Sequence, residues 1–371
     1  MKKIIHIIVS LGSGGAERTL MNLVTNDNQN IHKIVTLKSD NFYKKKITDS
    51  NIEVIDLNFE KNLKILEFYK LFKIIKSNKP DILQTWLYHS DLIGGLAGKL
   101  AGVRNIVWNI RSTLNPKINL NKYIYLKIIS FLSHYIPKKI ISCSFIAIDQ
   151  HINFGYKKDI FTYIPNGIAF KKKKNNKLFI DDFYKKFQIK DKIVLCTIAR
   201  YHEQKNHEFL LKGFQELEKK FRNKLVLLLI GKNIQNLLNH KEHINYENKN
   251  NIILLDEAEN IKDFFELIDL HILTSSYGEG FPNIILETLS CGVPNISSNV
   301  GDAKLIINND QFVFDKNNLD EFLLKSEKMI QHILNKDQKF YDKIKLRSSE
   351  VIHKYSIKKM TNKYREIWCL R

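Results

Sequence analysis

The stretch Ile4-Ile5-His6-Ile7-Ile8-Val9-Ser10-Leu11-Gly12-Ser13-Gly14-Gly15-Ala16-Glu17-Arg18 carries three signals in a row. Ile4 to Val9 is a run of mainly β-branched side chains, the composition of a buried strand. Turn chemistry follows in Gly12-Ser13-Gly14-Gly15, and a helical pattern starts near Ala16. Strand, glycine turn and helix make the first part of a unit that is completed by a parallel strand. The apolar run is short, is broken by His6 and leads into the charged Glu17-Arg18. It therefore fits a first core strand better than a secretion signal.

Working outward, the same alternation recurs. Ile31 to Leu37, Glu53 to Leu57, Asp81 to Trp86, Asn105 to Trp108, Lys139 to Ser142 and Ile160 to Ile164 read as strands. Leu63 to Lys76 reads as a helix, with Leu63, Leu66, Leu71, Ile74 and Ile75 on one face. Turn residues break the pattern at Ile164-Pro165-Asn166-Gly167-Ile168, and Lys171 to Asn176 is polar throughout. The pattern then restarts. Ile193 to Ala199, Leu225 to Ile230, Asn251 to Leu255 and Leu270 to Thr274 are strands, and His207 to Lys219 and Pro282 to Ser290 are helices. Pro282 suits the first helical position and Gly292 the C-terminal cap. After about Leu319 the sequence is mostly helical. These patterns predict an α/β protein with two Rossmann-like domains, residues 1–165 and 191–350. A linker region at 166–190 joins them, and a C-terminal helical segment follows at 351–371.

Composition narrows the classes. The 371 residues suffice for two cores, and 44% hydrophobic with 11% aromatic residues fits a globular chain. A net charge of +20 suits an anionic partner, although Lys crowds in together with Asn and Ile, a bias that codon composition alone produces. No nucleic-acid motif accompanies it, so no nucleic-acid partner is expected. The four cysteines are scattered and the histidines form no HExxH, so neither a disulfide framework nor a metal is expected. No stretch approaches the roughly 20 apolar residues that span a bilayer.

In a parallel sheet, ligand chemistry collects at the carboxyl ends of strands, and three segments fall there. Gly12-Ser13-Gly14-Gly15 precedes a helix N-terminus that can hold a phosphate, or is a tight turn and nothing more; it is neither a GxGxxG nor a P-loop. Arg200 and Lys205, in Ala199-Arg200-Tyr201-His202-Glu203-Gln204-Lys205, offer two cations to a diphosphate or form an ordinary charged loop. Ser276-Tyr277-Gly278-Glu279-Gly280-Phe281-Pro282-Asn283-Ile284-Ile285-Leu286-Glu287 sets one carboxylate in a glycine loop and a second two turns into a helix. Each can accept hydroxyl hydrogen bonds, with the helix N-terminus between them open to a phosphate; alternatively Glu287 lies on a solvated helix face.

Taken in order, these segments resemble glycosyltransferase family 4, of GT-B fold. Glu279 and Glu287 resemble its E-x7-E signature, Arg200 and Lys205 its phosphate-binding pair, and Gly14-Gly15-Ala16-Glu17 its N-terminal loop. Ile164-Pro165-Asn166-Gly167 and Val300-Gly301-Asp302-Ala303 match two further turns. Trp86-Leu87-Tyr88-His89-Ser90-Asp91 through Gly98, with Val107 to Ser112, is similar to the subgroup that builds bacterial O-antigens and capsules. The resemblance implies two parallel sheets facing across a cleft, with the C-terminal helix at 351–371 packed back on the first domain, and a hexosyltransferase that retains anomeric configuration without a protein nucleophile. It implies a UDP- or GDP-sugar donor and a lipid-linked glycan acceptor. Glu279 would hold the donor sugar, Glu287 the ribose, and Arg200 with Lys205 the leaving diphosphate in place of a metal. Gly14 and Gly15 would leave room for the phosphate, and Gly280, Phe281, Pro282 and Asn283 complete the donor loop. Many relatives carry a histidine after the strand that here reads Ile106-Val107-Trp108-Asn109, where this chain has Asn109-Ile110-Arg111. Arg111 and His89 are the acceptor-side candidates, His89 being equally a packed or capping residue.

Lys122 to Ile136 is apolar with a narrow polar stripe of Lys127, Ser130 and His134, and is flanked by Lys117, Lys138 and Lys139. It is either a basic amphipathic helix for the anionic cytoplasmic leaflet or a buried helix of the first domain. A cytoplasmic, peripherally bound enzyme is the expectation. A nucleotide-sugar epimerase of similar fold and a non-catalytic glycan-assembly subunit are the alternatives.

Overall fold

Every strand expected from an apolar run forms, and all of them pair in parallel. The computed structural model describes residues 1–60, 64–169, 177–239, 251–256, 258 and 261–369. The chain divides into two units, Met1–Ala169 with Tyr355–Arg371, and Phe170–Lys354.

The first unit runs β1 (Lys3–Ile8), α1 (Gly15–Thr25), β2 (Ile31–Thr36), α2 (Lys44–Thr48), β3 (Glu53–Asp56), α3 (Lys64–Asn78), β4 (Ile82–Trp86), α4 (Tyr88–Leu100), β5 (Ile106–Ile110), α5 (Leu120–Leu132), β6 (Lys139–Ser142), α6 (Phe145–Phe154) and β7 (Phe161–Tyr163). The sheet order is β3-β2-β1-β4-β5-β6-β7. The order reverses between β1 and β4, which leaves a crevice beyond their carboxyl ends. One face of the sheet is covered by α3, α4 and α5 through Leu71, Ile75, Ala97 and Ile129. A Cβ at Gly98 would lie 2.2 Å from Leu83 Cδ2 and one at Gly94 2.7 Å from Ile7 Cδ1, so the glycine-rich run 94–98 lets α4 lie close on the strands.

The second unit holds α7 (Lys177–Phe187), β8 (Ile193–Ile198), α8 (His207–Phe221), β9 (Leu225–Ile230), β10 (Ile252–Leu255), β11 (Leu270–Leu273), α9 (Asn283–Ser290), β12 (Asn295–Ser298), α10 (Ala303–Ile307), β13 (Val313–Phe314), α11 (Leu319–Leu334) and α12 (Gln338–Lys354). Its order, β10-β9-β8-β11-β12-β13, reverses between β8 and β11.

The interval expected as a linker differs in structure. Asn166–Ala169 belongs to the first unit, where Gly167 packs on Ile357 and Met360. The polar Lys171–Asn176 lies outside the described residues. Lys177–Phe187 is a helix, because Phe179, Phe183 and Phe187 recur at four-residue spacing beneath its lysines and aspartates; Phe179 and Phe183 pack on Phe264. The boundary placed at 351 falls inside α12. The chain re-enters the first unit at Tyr355, where Ser356 caps α13 (Ile357–Trp368) by accepting a hydrogen bond from Lys359 N. Pro282, expected as the first helical residue, sits instead at the N-cap of α9, which begins at Asn283.

Helix α13 covers the other face of the first sheet with α1, through Met360, Tyr364 and Trp368 against Ile4, Ile8, Trp86 and Ile141. A buried polar chain ties it there. Trp86 Nε1 donates to His6 Nδ1 (3.3 Å), so His6 Nε2 carries its proton toward His32 Nδ1 (3.0 Å). His32 Nε2 then donates to Asp27 Oδ2 (3.1 Å), whose other oxygen accepts from Arg365. Burial pushes the Asp27 carboxyl up, but hydrogen bonds from His32, Asn30, Gln29 and Arg365 outweigh it and hold the group well below the carboxylate range. Burial, with His32 next to it, holds His6 well below its ordinary value.

Burial likewise lowers His151, His207 and His271 to about 4. A histidine that resists protonation in the fold but accepts it at about pH 6.5 once unfolded makes the unfolded state the better proton binder in acid. Stability therefore falls as pH drops from about 6.5 toward 4, by up to about 1.4 kcal/mol per pH unit for each such histidine. Asp27 adds a loss in the same direction at lower pH, below about 3.9. Calorimetry at pH 7.5 and 5.5 should show a lower melting temperature at pH 5.5; equal melting temperatures would contradict these assignments.

Candidate active site

In the second unit the reversal between β8 and β11 brings two of the predicted segments together. The loop after β8 carries Arg200 and Lys205, and the loop after β11 carries Glu279. Lys205 Nζ meets Glu279 Oε1 at 2.5 Å, with both side chains mostly buried. Ser275 Oγ donates to the same oxygen at 2.8 Å. Thr274 Oγ1 donates to the carbonyls of Lys205 (2.9 Å) and Asn206 (3.3 Å), and Ser276 N donates to Gln204 O (2.9 Å), so the two loops are stitched along their length. Arg200 is exposed and forms no ion pair among the described residues.

A third loop closes the group from the far side. Asp302 N donates to Gly280 O at 2.9 Å, and Gly301, at φ +47°, lies so close that a Cβ would be 2.2 Å from Gly280 O and 2.5 Å from Glu279 O. Phe281 is buried beneath the loop, Pro282 has no side chain to cap α9, and Asn283 begins that helix. Glu287 is only 2% exposed, which rules out the solvated helix face. Burial of a carboxylate is costly and marks the residue as more than a solubilising charge.

The first-unit candidates lie at the ends of β1, β4 and β5. Gly14 caps α1 and Gly15 is its first residue; a Cβ on Gly14 would fall 2.3 Å from Glu17 Oε2, because Glu17 folds back over the turn. A carboxylate therefore already faces the helix N-terminus where an anion was expected, as in half of a capping box. His89 is exposed, its ring 5.2 Å from Tyr125. Desolvation, then the charges of Lys38 and Lys122, hold its imidazole below the ordinary value. Before it stands Leu87 at φ +70°, a strained backbone for a branched side chain at the sheet's reversal point. Arg111 is engaged by the fold itself. Its guanidinium lies 5.7 Å from the Trp86 ring centre and donates to Asn109, Tyr364, Thr19 and Asn166.

The polar stripe of α5 lies along the end of α6, with Ser130 inside and Lys127 and His134 at the surface. Ser130 is buried, Lys127 Nζ donates to Phe154 O (2.7 Å) and His134 Nε2 lies 3.2 Å from Gly155 O, so the stripe satisfies the C-terminal end of α6. Leu126 and Ile129 face the sheet, while Leu120, Tyr123, Ile124, Ile128, Phe131 and Tyr135 are left exposed, Phe131 by 61%. Contiguous exposed apolar surface of this kind marks an interaction site. Among the described residues, no helix is long and apolar enough to cross a membrane, and no group of three or more His, Cys, Asp or Glu is placed to hold a metal.

Two residues of the cluster escaped sequence reasoning: Thr274, read only as a strand end, and Ser275. The signal available was a pair of hydroxyl residues where a strand of apolar side chains stops.

Comparison with solved structures gives the fold. The fold matches that of Anabaena HepE, solved in complex with UDP-glucose, at a TM-score of 0.85 over 99% of both chains and 16% identity. Two parallel-sheet units of this kind define the GT-B glycosyltransferases. Residues 13–172 match the family model "Glycosyltransferase Family 4" and residues 179–347 match "Glycosyl transferases group 1". The chain belongs to the family 4 glycosyltransferases. Its relatives include an uncharacterized glycosyltransferase of Methanocaldococcus jannaschii, 28% identical over 62% of this chain; the match spans 58% of that protein's length. The capsular polysaccharide biosynthesis glycosyltransferase CapM of Staphylococcus aureus is 22% identical over 89% of this chain and 88% of its own. An Escherichia coli UDP-Gal:alpha-D-GlcNAc-diphosphoundecaprenol alpha-1,3-galactosyltransferase is 24% identical over 68% of this chain and 67% of its own.

The Gly301 contact is testable against a control. Gly292 also has positive φ, +77°, but open space around it, so Gly292→Ala should cost only the backbone penalty of about 1 kcal/mol. Gly301→Ala adds a collision with backbone oxygens and should cost at least about 2 kcal/mol. Equal losses in denaturant unfolding would show that the 279–280 loop yields freely.

Proposed function

We propose that this chain moves a hexose or N-acetylhexosamine, with retention, from a UDP-sugar to an undecaprenyl-diphosphate-linked glycan in the building of a bacterial surface polysaccharide. The observation that carries the reading is the Lys205–Glu279 pair at the sheet's reversal point. It sets a cation and a carboxylate side by side where a ligand of open parallel sheets binds. A donor with a diphosphate and a sugar needs that combination. Lys205 turns to the diphosphate, joined by the exposed Arg200, whose planar fork grips phosphate oxygens in pairs. Glu279 is then left to accept hydroxyl hydrogen bonds from the sugar, and the buried Glu287 to accept them from the ribose. Charge builds on the departing diphosphate as the glycosidic bond breaks, and the two cations stabilise it in the role a metal plays elsewhere. Attack from the face the leaving group vacates retains configuration without a protein nucleophile, so the two glutamates are not a glycosidase pair.

UDP is favoured over GDP by the UDP-glucose complex of HepE and by the UDP-Gal donor in the Escherichia coli relative's name. That name also supports a lipid-linked acceptor, and CapM a polysaccharide product. The exposed apolar face of α5, with Lys117, Lys122 and Lys138 nearby, then seats the enzyme on the anionic cytoplasmic leaflet that displays the acceptor.

Labelled UDP-glucose, UDP-galactose and UDP-N-acetylglucosamine, incubated with bacterial lipid extract, should give transfer of one label to lipid. Glu279→Ala and Lys205→Ala should each lower kcat by about 100-fold or more, the scale of removing one transition-state partner. Conversion of a donor into another nucleotide sugar, with no label in lipid, would replace this reading with epimerisation.

In flotation with anionic vesicles at low salt, the wild type should rise with the lipid and Ile128→Asp/Phe131→Asp should stay behind. A wild type that remains in solution would dismiss the membrane seat.

A further inference from the structure

Thr274 and Ser275 are consecutive, buried, and placed just past the end of β11. Their hydroxyls serve the two halves of one ion pair. Thr274 Oγ1 bonds the carbonyls of Lys205 and Asn206, fixing the backbone from which the lysine springs. Ser275 Oγ donates to Glu279 Oε1, the oxygen that Lys205 Nζ also occupies. Ser275 is held in turn, since its carbonyl accepts from Ser298 Oγ of β12 at 2.6 Å. Among the described residues, Glu279 Oε2 receives no hydrogen bond.

The carboxylate is thus fixed at one oxygen and presents the other. Two donors on Oε1 are redundant in the free protein, but that redundancy ends when an anionic ligand draws Lys205 away. A glutamate released by its only partner swings about its terminal torsion, which has a broad, soft profile. One that keeps a second partner on the same oxygen stays aimed, and pre-aimed acceptors lose less on binding.

We propose that Ser275 is a positioning residue for the sugar half of the donor: it holds Glu279 Oε1 after Lys205 has turned to the diphosphate, and so fixes Oε2 as the acceptor offered to a sugar hydroxyl. Thr274 does the corresponding service for the diphosphate half by holding Lys205. This rests on the donor reading above, and it separates two neighbouring side chains by the part of the ligand each supports.

Calorimetric titration of the full chain with UDP and with UDP-glucose, UDP-galactose and UDP-N-acetylglucosamine tests it. For the sugar nucleotide that the wild type binds best, Ser275→Ala should lower the ratio of its affinity to that of UDP about tenfold, leaving UDP itself within twofold. Ser275→Thr, which keeps the hydroxyl, should restore most of the ratio. Thr274→Val should weaken UDP and UDP-sugar alike. An unchanged ratio in Ser275→Ala, or an equal loss of UDP, would overturn the assignment while leaving the donor reading intact. A wild type that binds none of the four ligands would overturn both. Binding without any transfer to lipid would remove the transferase step and leave the role of Ser275 standing.

Discussion

The parallel pairing of β8 with β11 is the constraint from which the candidate site follows. The two strands are neighbours in the sheet but not in the chain, because β9 and β10 intervene on the other side of β8. The helices that leave β8 and β11 therefore pack on opposite faces, and the loops beginning them part at the sheet's edge. Backbone groups exposed in that gap need partners. Here they find them in one another and in short hydroxyl side chains: Gln204 O, Lys205 O, Ser275 O and Gly280 O are each bonded by a residue of a different loop or strand. The charged pair of Lys205 and Glu279 rests on this lattice of neutral hydrogen bonds. Its geometry is thus set by the sheet order rather than by the mutual attraction of two flexible side chains.

Strands built on Ile, Val and Leu were legible from the sequence because a parallel sheet buried on both faces demands such runs. β12 was not, since Asn295-Ile296-Ser297-Ser298 has the composition of a turn. It is nonetheless fully buried, its polar groups meeting His271, Thr288, Val293 and Ser275. Hydrophobicity cannot announce a strand whose polar atoms are satisfied by other polar atoms. The α5 segment was legible as a helix, while the share of its apolar side chains that would be buried was not. Lys127 and His134 stay at the surface as a polar stripe should, bonding the end of α6, but the apolar side chains divide: Leu126 and Ile129 are buried while Ile124, Ile128 and Phe131 are exposed. Helix α7 was hidden because its three phenylalanines are outnumbered by charges.

Of the candidate site, Glu279, Lys205 and their loops were legible through their places after strands together with the resemblance to the family's E-x7-E signature and phosphate-binding pair; spacing alone left an ordinary charged loop open at Lys205. The burial of Glu287 and the supports from Thr274, Ser275 and Gly301 were not, because they depend on which strands become neighbours. Arg111 shows the converse: its position at a strand end suggested a ligand contact, whereas the structure spends its donors on Thr19, Asn109, Asn166 and Tyr364. One partner, Tyr364, lies 253 residues away in the sequence.

Helix α13 has a consequence for how the protein is made. Trp368 and Tyr364 complete the core on one face of the first sheet, yet they follow the whole of the second unit in the chain. The second unit, lying wholly between residues 170 and 354, can condense while that face is still bare. At roughly 5–20 residues per second, the nascent first unit spends at least about ten seconds with Trp86, Ile4 and Ile8 uncovered. The sheet made before the second unit is therefore completed only after it, and one face of its core stays open to solvent in the interval.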